Sequence, residues 1–210
     1  MSSRFLNCKI NISGKIFRPR TETEFWVKSV IQTLKHTEER PLYVLDIFSG
    51  SGCIGIAILK NIKNSRVDFA DIARTAVEQI KINLQLNNIS PQRYSIYRSN
   101  LFKELRGGRY DVIFANPPYV ALSRISEVQK EVLGKDPHLA LFAGKDGLVY
   151  IENFFKQVKK YLKPKGKIFL EFDPLQKRKI REVLEKGKFK FIFKKDQFGK
   201  YRWLKAEKKN

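Results

Sequence analysis

One stretch of the sequence decides the fold: Leu42-Tyr43-Val44-Leu45-Asp46-Ile47-Phe48, followed at once by Ser49-Gly50-Ser51-Gly52-Cys53-Ile54-Gly55. Its first part is an apolar run broken only by Asp46, which is typical of a parallel strand buried on both faces. Its second part matches G-x-G-x-x-G and leads into a helical segment at 54–60. A strand that passes through a glycine loop into a helix indicates an α/β fold with a ligand site at the loop.

The rest of the chain alternates strands and helices in the same way. The predicted strands are 42–48, 66–70, 94–97, 110–115, 167–172, 188–195 and 201–206. The predicted helices are 21–35, 54–60, 75–87, 147–162 and 175–185. This order predicts a Rossmann-like, doubly wound α/β sheet of about seven strands, mostly parallel, with an antiparallel strand from the C-terminal hairpin.

The N-terminus is predicted to add a short β-hairpin at 7–17 that turns at Ser13-Gly14. No low-complexity linker or internal repeat marks a boundary further along the chain. We therefore predict a hairpin segment at 1–20 and a single domain at 21–210.

The composition is that of a folded protein with a sizeable core: 210 residues, 42% apolar and 12% aromatic. No stretch approaches the roughly 20 uninterrupted apolar residues of a membrane span, and Met1-Ser2-Ser3-Arg4 lacks the apolar core of a signal peptide. The chain is therefore expected in the cytoplasm, without membrane contact. The sequence contains two cysteines, Cys8 and Cys53, and two histidines, His36 and His138. So few of these residues argue against a disulfide framework and against a metal centre.

The formal net charge of +21 is the strongest feature of the composition. It predicts a favourable encounter with polyanions such as ribosomal RNA, tRNA or DNA, without identifying which one. The basic residues are densest at 156–167 and 177–209. Lysine, isoleucine, asparagine and phenylalanine are all abundant, a bias that an AT-rich genome also produces, so the sequence leaves open whether the basic surface serves binding.

The end of the predicted strand 110–115 carries a second informative stretch, Asn116-Pro117-Pro118-Tyr119. A planar nitrogen is a poor nucleophile because its lone pair is delocalised, so a catalyst has to hold it with its π face toward an electrophile. The Asn116 side-chain oxygen and the Pro117 carbonyl are two acceptors for the N–H bonds of an NH₂ group, and the prolines fix their backbone. Tyr119 offers a flat face for stacking. The alternative is a structural Pro-Pro turn with a partly buried tyrosine.

Two carboxylates accompany the glycine loop. Asp71 ends the next strand, about 20 residues on, in position for the hydroxyls of a ribose; the alternative is a carboxylate at a helix N-terminus. Asp46 would repel a pyrophosphate but attract the amino group and sulfonium of S-adenosylmethionine, which favours this cofactor over a nicotinamide. Because the glycine loop and Asn116 both follow parallel strands, donor and acceptor are expected to share one cleft.

These stretches together are similar to the class I S-adenosylmethionine-dependent methyltransferases that modify planar nitrogens, a group that includes adenine-N6 enzymes. Three further stretches narrow the resemblance, namely Arg18-Pro19-Arg20-Thr21-Glu22-Thr23-Glu24, Ala140-Leu141-Phe142-Ala143-Gly144-Lys145-Asp146-Gly147-Leu148 and Lys195-Asp196-Gln197-Phe198-Gly199-Lys200-Tyr201-Arg202. In that order they resemble the HemK/PrmC family, the release factor glutamine methyltransferases. The match runs from about residue 10 to the end of the chain.

The resemblance implies a cofactor, a substrate and the residues that bind them. The cofactor would be S-adenosylmethionine, bound by Asp46, Ile47, Phe48, Ser49, Gly50, Gly52, Asp71, Asn100, Leu101 and Asn116. The substrate would be a glutamine in the Gly-Gly-Gln loop of a peptide chain release factor, held by Asn116, Pro117, Pro118 and Tyr119. Asn116, Pro117 and Tyr119 would be catalytic, and the product would be N5-methylglutamine.

Two departures from the family keep alternatives open. Asn100 stands where the family usually carries an acidic residue, and the separate N-terminal helical domain that helps to dock the release factor has no counterpart in this sequence. The first alternative is an adenine-N6 methyltransferase acting on rRNA, tRNA or DNA. The second is a non-catalytic, cofactor-binding accessory protein of the ribosome. The chain is expected to be a monomer.

Overall fold

A computed structural model of the protein describes residues 2–13, 16, 18–35, 40–106, 108–119 and 146–209. The strands are β1 (Ser2–Phe5), β2 (Cys8–Asn11), β3 (Leu42–Ile47), β4 (Ser65–Asp71), β5 (Tyr94–Arg98), β6 (Tyr110–Ala115), β7 (Leu162–Glu171), β8 (Phe189–Lys195) and β9 (Tyr201–Lys208). The helices are α1 (Thr21–Leu34), α2 (Cys53–Asn61), α3 (Arg74–Leu86), α4 (Val149–Gln157) and α5 (Lys177–Lys186).

Seven of these strands form one sheet in the order β5-β4-β3-β6-β7-β9-β8. The strands from β5 to β7 in this order are parallel, whereas β9 lies antiparallel to both of its neighbours, β7 and β8. The predicted sheet, with its antiparallel C-terminal strand, is therefore confirmed. In the central pair, Asp46 of β3 lies opposite Phe114 of β6, so the ends of these strands emerge side by side.

The sheet is covered by helices on both faces because its central strands are apolar on both. Val44 and Phe114 belong to a core shared with α1, α2 and α3, while Leu45 and Ile113 belong to a second core shared with α4 and α5. Successive residues of a strand point to opposite faces, so a continuous apolar run requires a layer on each side. This layering leaves the carboxyl edge of the parallel strands as the place where the strand ends and their loops meet.

The N-terminal hairpin is present, but its predicted position at 7–17 is wrong. Its strands are β1 and β2, which turn at Leu6 and Asn7, with Phe5 paired to Cys8. The outer edge of β2 is occupied by side chains of α3 and its C-terminal end: Asn87 Oδ1 accepts the Lys9 N–H at 3.0 Å, and Asn83 Oδ1 accepts the Asn11 N–H at 2.8 Å. No edge of β2 is left for a second pairing, and Gly14 itself lies outside the described residues.

The boundary between α4 and β7 also differs from the prediction of one helix over 147–162. The helix ends at Gln157, a 3₁₀ turn covers Val158–Tyr161, and β7 begins at Leu162 rather than at 167. Leu162 pairs with Tyr110 before a register shift, so an irregular first pairing extends the strand across Pro164. Pro164 and Gly166 therefore lie within β7 and interrupt its hydrogen bonds to β6, rather than preceding the strand as predicted.

Within the described part of the chain, no helix combines the length and the apolar character that a membrane span requires. Cys8 and Cys53 are both buried and unbridged. His36, His138 and most of the stretch 140–148 lie outside the described residues.

Candidate active site

A cleft of about 460 Å³ opens at the carboxyl edge of the parallel strands. It brings together most of the residues predicted for the site. Those that line it are Ile47, Phe48, Ser49, Gly50, Asp71, Asn100, Leu101, Asn116, Pro117, Pro118 and Tyr119. Asp46 and Gly52, also predicted to bind the cofactor, are described by the structure but lie behind the cleft wall.

Each of the three positions in the loop requires a glycine for a different structural reason. Gly50 has a φ of +53°, and no atom lies within 4 Å of the position of a Cβ, so its backbone is open to the cleft. Gly52 has a φ of +77°, and a Cβ there would lie 3.1 Å from Ile80. At Gly55 a Cβ would lie 2.2 Å from the ring of Phe69, so this glycine lets α2 pack closely on β4. Only Gly50 is therefore placed for close approach of a ligand to the backbone.

Asp71 links the glycine loop to the start of α3. Its carboxylate accepts the Gly50 N–H and the Ala73 N–H, each at 2.9 Å. Burial raises the pKa of Asp71, while these backbone donors lower it. Since each carboxylate oxygen can accept more than one hydrogen bond, Asp71 keeps acceptor capacity toward the cleft that it lines. Asp71 therefore both contacts the start of α3 and lines the cleft.

Asp46 contacts the backbone at the start of α2, and its contact with the cofactor stays a prediction. Its side chain is 1% exposed and accepts the Gly55 N–H at 2.9 Å, at the first turn of α2. Burial raises the pKa of Asp46 to about 8, the Gly55 N–H lowers it, and the charge of Asp71 raises it further. The Asp46 carboxyl group therefore supports the first turn of α2.

The loop after β5 places Asn100 and Leu101 in the cleft. The Ser99 N–H donates to the Asp71 carbonyl at 2.9 Å, and the Ser99 hydroxyl donates to the Leu101 carbonyl at 2.7 Å. Leu101 has a φ of 54°, a left-handed conformation that the serine contact stabilises. The two neighbouring strand ends, β4 and β5, are therefore tied together on this side of the cleft.

The Asn-Pro-Pro-Tyr segment forms the opposite wall and is held at Tyr119. The Tyr119 carbonyl accepts the Gln176 side-chain N–H at 2.9 Å, and the Tyr119 hydroxyl donates to Glu171 Oε1 at 3.2 Å. Asn116 and Pro118 are partly exposed, whereas Pro117 and Tyr119 are buried. The segment therefore presents the Asn116 side chain and one side of a fixed tyrosine to the cleft.

Sequence reasoning missed Glu171, the last residue of β7. The side chain is 0% exposed, and its Oε2 accepts from the Thr23 hydroxyl at 2.7 Å and from the Trp26 indole N–H at 2.8 Å. Burial raises the pKa of Glu171, while its hydrogen-bond donors and Arg20 lower it. A carboxylate inside the apolar run 168–172 was the available signal, the same kind of signal that marked Asp46.

The final hairpin sends Arg202 toward the same region. Asp196 shapes the turn, because its Oδ1 accepts the backbone N–H groups of Phe198 and Lys200, each at 2.9 Å. Its Oδ2 accepts from Arg202 Nε at 3.3 Å. Asp196 therefore holds the turn together, and it places Arg202 near Tyr119: burial raises the pKa of the Tyr119 hydroxyl, while the charge of Arg202 lowers it.

The sheet order and the cleft at its carboxyl edge are those of the class I methyltransferase fold. A solved structure with the same fold is the ribosomal protein L11 methylase of Lactobacillus delbrueckii subsp. bulgaricus, with a TM-score of 0.67 and 20% identity over 93% of this chain and 82% of that one. This likeness shows the fold alone.

The sequence comparisons define the family. Residues 26–139 match the family "Methyltransferase small domain". The chain is 35% identical over 202 residues to a release factor glutamine methyltransferase of Streptococcus pneumoniae. The aligned region covers 95% of this chain and 70% of the relative. A relative of the same name from Flavobacterium psychrophilum is 32% identical over 97% of this chain and 72% of its own length. The chain belongs to the release factor glutamine methyltransferase family and is a methyltransferase, which confirms the resemblance found in its sequence.

Proposed function

We propose that this enzyme transfers a methyl group from S-adenosylmethionine to the side-chain amide nitrogen of the glutamine in the Gly-Gly-Gln loop of a peptide chain release factor. One observation supports this most strongly: the open glycine loop and the Asn-Pro-Pro-Tyr segment line the same cleft. Two curated relatives that match 95% and 97% of this chain carry the name of this activity.

The residues of the cleft fit S-adenosylmethionine. The cavity has a suitable volume for a small ligand, and Gly50 leaves its backbone free for close approach. In the proposal, Asp71 accepts the ribose hydroxyls, and the segment Asn100-Leu101 borders the adenine. Ile47, Phe48 and Ser49 line the remaining wall, while Asp46 and Gly52 shape the loop from behind. When bound, this cofactor supplies an electrophilic methyl group on a sulfonium.

The acceptor wall holds the glutamine amide. In the proposal, Asn116 Oδ1 and the Pro117 carbonyl accept the two N–H bonds, which orients the nitrogen π face, and Pro118 keeps the two acceptors in place. The ring of Tyr119 forms the flat side of the pocket. No strong general base is required, because the nitrogen becomes acidic once it carries the new methyl group and its proton then leaves to water.

The proposed partner is the release factor itself, encountered in the cytoplasm by a monomeric enzyme. Contact of the basic surface with ribosomal RNA stays a prediction, based on the net charge of +21. In the proposal, the described elements that border the cleft contact the release factor.

A labelled-methyl assay tests the proposal. Purified enzyme is incubated with tritiated S-adenosylmethionine and a release factor, with a release factor carrying Gly-Gly-Ala in place of Gly-Gly-Gln as the matched control. Label is expected on the Gly-Gly-Gln peptide alone. Label on rRNA, tRNA or DNA, run side by side, would replace the proposal with the adenine-N6 alternative. Binding of the cofactor in calorimetry, with no label on any of these substrates, would favour the accessory protein.

A further inference from the structure

Glu171 is a fully buried carboxyl group that the chemistry of methyl transfer does not use. It ends β7, the strand next to β6, which leads into the Asn-Pro-Pro-Tyr segment. Among the described residues it does not line the cleft, so it does not reach a bound substrate. Its hydrogen bonds nevertheless join the acceptor wall to the first helix of the domain.

The three donors to Glu171 come from two separate parts of the chain. Thr23 and Trp26 of α1 donate to Oε2, and the Tyr119 hydroxyl donates to Oε1. The indole of Trp26 also stacks on Phe114 of β6 and on Trp203 of β9, with ring centroids 6.0 and 5.8 Å apart. Helix α1 and the carboxylate are therefore both fixed on the sheet, and the tyrosine is held against a rigid acceptor.

The backbone and the side chain of Tyr119 have different anchors. Gln176 holds the carbonyl at 2.9 Å, whereas Glu171 holds the hydroxyl at the far end of the ring. The two oxygens of Glu171 together accept from all three donors. Replacement of this carboxyl group would remove the anchor of the Tyr119 ring, while Gln176 would still hold the backbone of the segment.

We infer that Glu171 is a positioning residue for the proposed methyl transfer: it acts through Tyr119 to orient the acceptor wall toward the methyl donor. This inference rests on the proposed function. Its distinctive consequence is that Glu171 and Tyr119 form one unit, so that the loss of either partner has the same effect on the rate.

A double-mutant cycle tests this unit. Glu171→Gln, Tyr119→Phe and the double variant are assayed for kcat with release factor and for the Kd of S-adenosylmethionine. Each single variant should lower kcat on the order of tenfold, and the double variant should be no slower than the slower single variant. The Kd of the cofactor should be unchanged. Losses that multiply in the double variant would overturn the inference.

The matched control is Asp111→Asn, another buried carboxylate changed to its amide. Asp111 lies near the other end of β6 and pairs with Arg40 at 2.6 Å and Lys163 at 2.8 Å. It should lower the thermal midpoint without lowering kcat at a temperature well below unfolding. If Glu171→Gln behaves in the same way, its role is structural. If Glu171→Gln does not fold, Tyr119→Phe is compared with Asp111→Asn by the same criterion.

The failure of the proposed function can be distinguished from the failure of the inference. If the wild-type chain labels no release factor, the proposed function is wrong, and crystal structures of the wild type, Glu171→Gln and Asp111→Asn then decide the second question. The Tyr119 ring should turn away from position 171 in Glu171→Gln only. An unmoved ring would overturn the inference.

Discussion

Asn116 is the residue whose substitution separates binding of the methyl donor from binding of the acceptor. Asn116→Ala should lower kcat on the order of a hundredfold or more, because one of two acceptors for the NH₂ group is lost. Calorimetry should show that the Kd of S-adenosylmethionine is largely unchanged. Asn153→Ala, at a partly exposed asparagine of α4, is the matched control and should retain both properties. Equal losses of rate and of cofactor affinity in Asn116→Ala would assign the side chain to the cofactor instead.

Asp46 should make the stability of the enzyme depend on pH. Its pKa of about 8 in the folded chain lies above that of an unfolded aspartate, so between about pH 4 and 8 the folded state alone holds the proton. Unfolding then releases a proton, and the free energy of unfolding falls as the pH rises. Asp46→Asn keeps an acceptor for the Gly55 N–H and has no proton to lose.

Urea denaturation at several pH values measures this effect. The free energy of unfolding of the wild type minus that of Asp46→Asn should fall by about 1.4 kcal/mol per pH unit from pH 5 to 7 and level off above pH 8. Carboxylates that do not interact with Asp46 cancel in the difference. A difference that does not change with pH would show that Asp46 is ionised in the folded protein.

The positions of the site residues were predictable to the extent that chain order fixes them. Residues at the ends of adjacent parallel strands must share an edge, which is why Gly50, Asp71 and Asn116 could be placed in one cleft from the sequence. The direction of a side chain at a strand end is not fixed in this way. Asp46 points to the first turn of α2, and Glu171 points to α1, because each finds hydrogen-bond donors there.

At the scale of elements, the N-terminal hairpin depends on asparagines at the C-terminal end of α3, namely Asn83 in the helix and Asn87 just after it. Asn87 Oδ1 accepts the Lys9 N–H at 3.0 Å, and its Nδ2 donates to the Lys9 carbonyl at 2.7 Å. A side-chain amide that pairs with both backbone groups of one residue replaces a neighbouring strand. Lys9 and Asn87 are 78 residues apart in the sequence, so local turn signals such as Ser13-Gly14 could not reveal their pairing.

Asn87→Ala should therefore destabilise the protein by about 1–3 kcal/mol, because it leaves two backbone groups of Lys9 without their partners. Gln85→Ala removes an exposed amide of the same helix and should change the free energy of unfolding by less than about 0.5 kcal/mol. Chemical denaturation compares the two variants. Equal stabilities would show that water replaces the asparagine and that the hairpin is held by its apolar side chains alone.

At the scale of the whole molecule, the net charge of +21 should produce a salt-dependent affinity for nucleic acid. Strands β8 and β9 and helix α5 carry many of the basic residues, and Lys190, Lys194 and Lys195 of β8 are exposed. Each phosphate contact releases counterions, so the affinity for a non-specific RNA should weaken by tenfold or more from about 50 to 200 mM salt. Fluorescence anisotropy measures this dependence.

The same salt series distinguishes the long-range attraction of the basic surface for RNA from the methyl transfer in the cleft. Methyl transfer to a short Gly-Gly-Gln peptide should change little over this range, because the peptide has little charge and the proposed acceptor contacts are uncharged hydrogen bonds. Lys190→Gln with Lys194→Gln should weaken RNA binding and reduce its salt slope by about two, while leaving peptide methylation unaltered. Absence of RNA binding at the lowest salt concentration would show that the basic composition reflects the base composition of the genome. The positive charge would then not contribute to the encounter between the enzyme and the release factor.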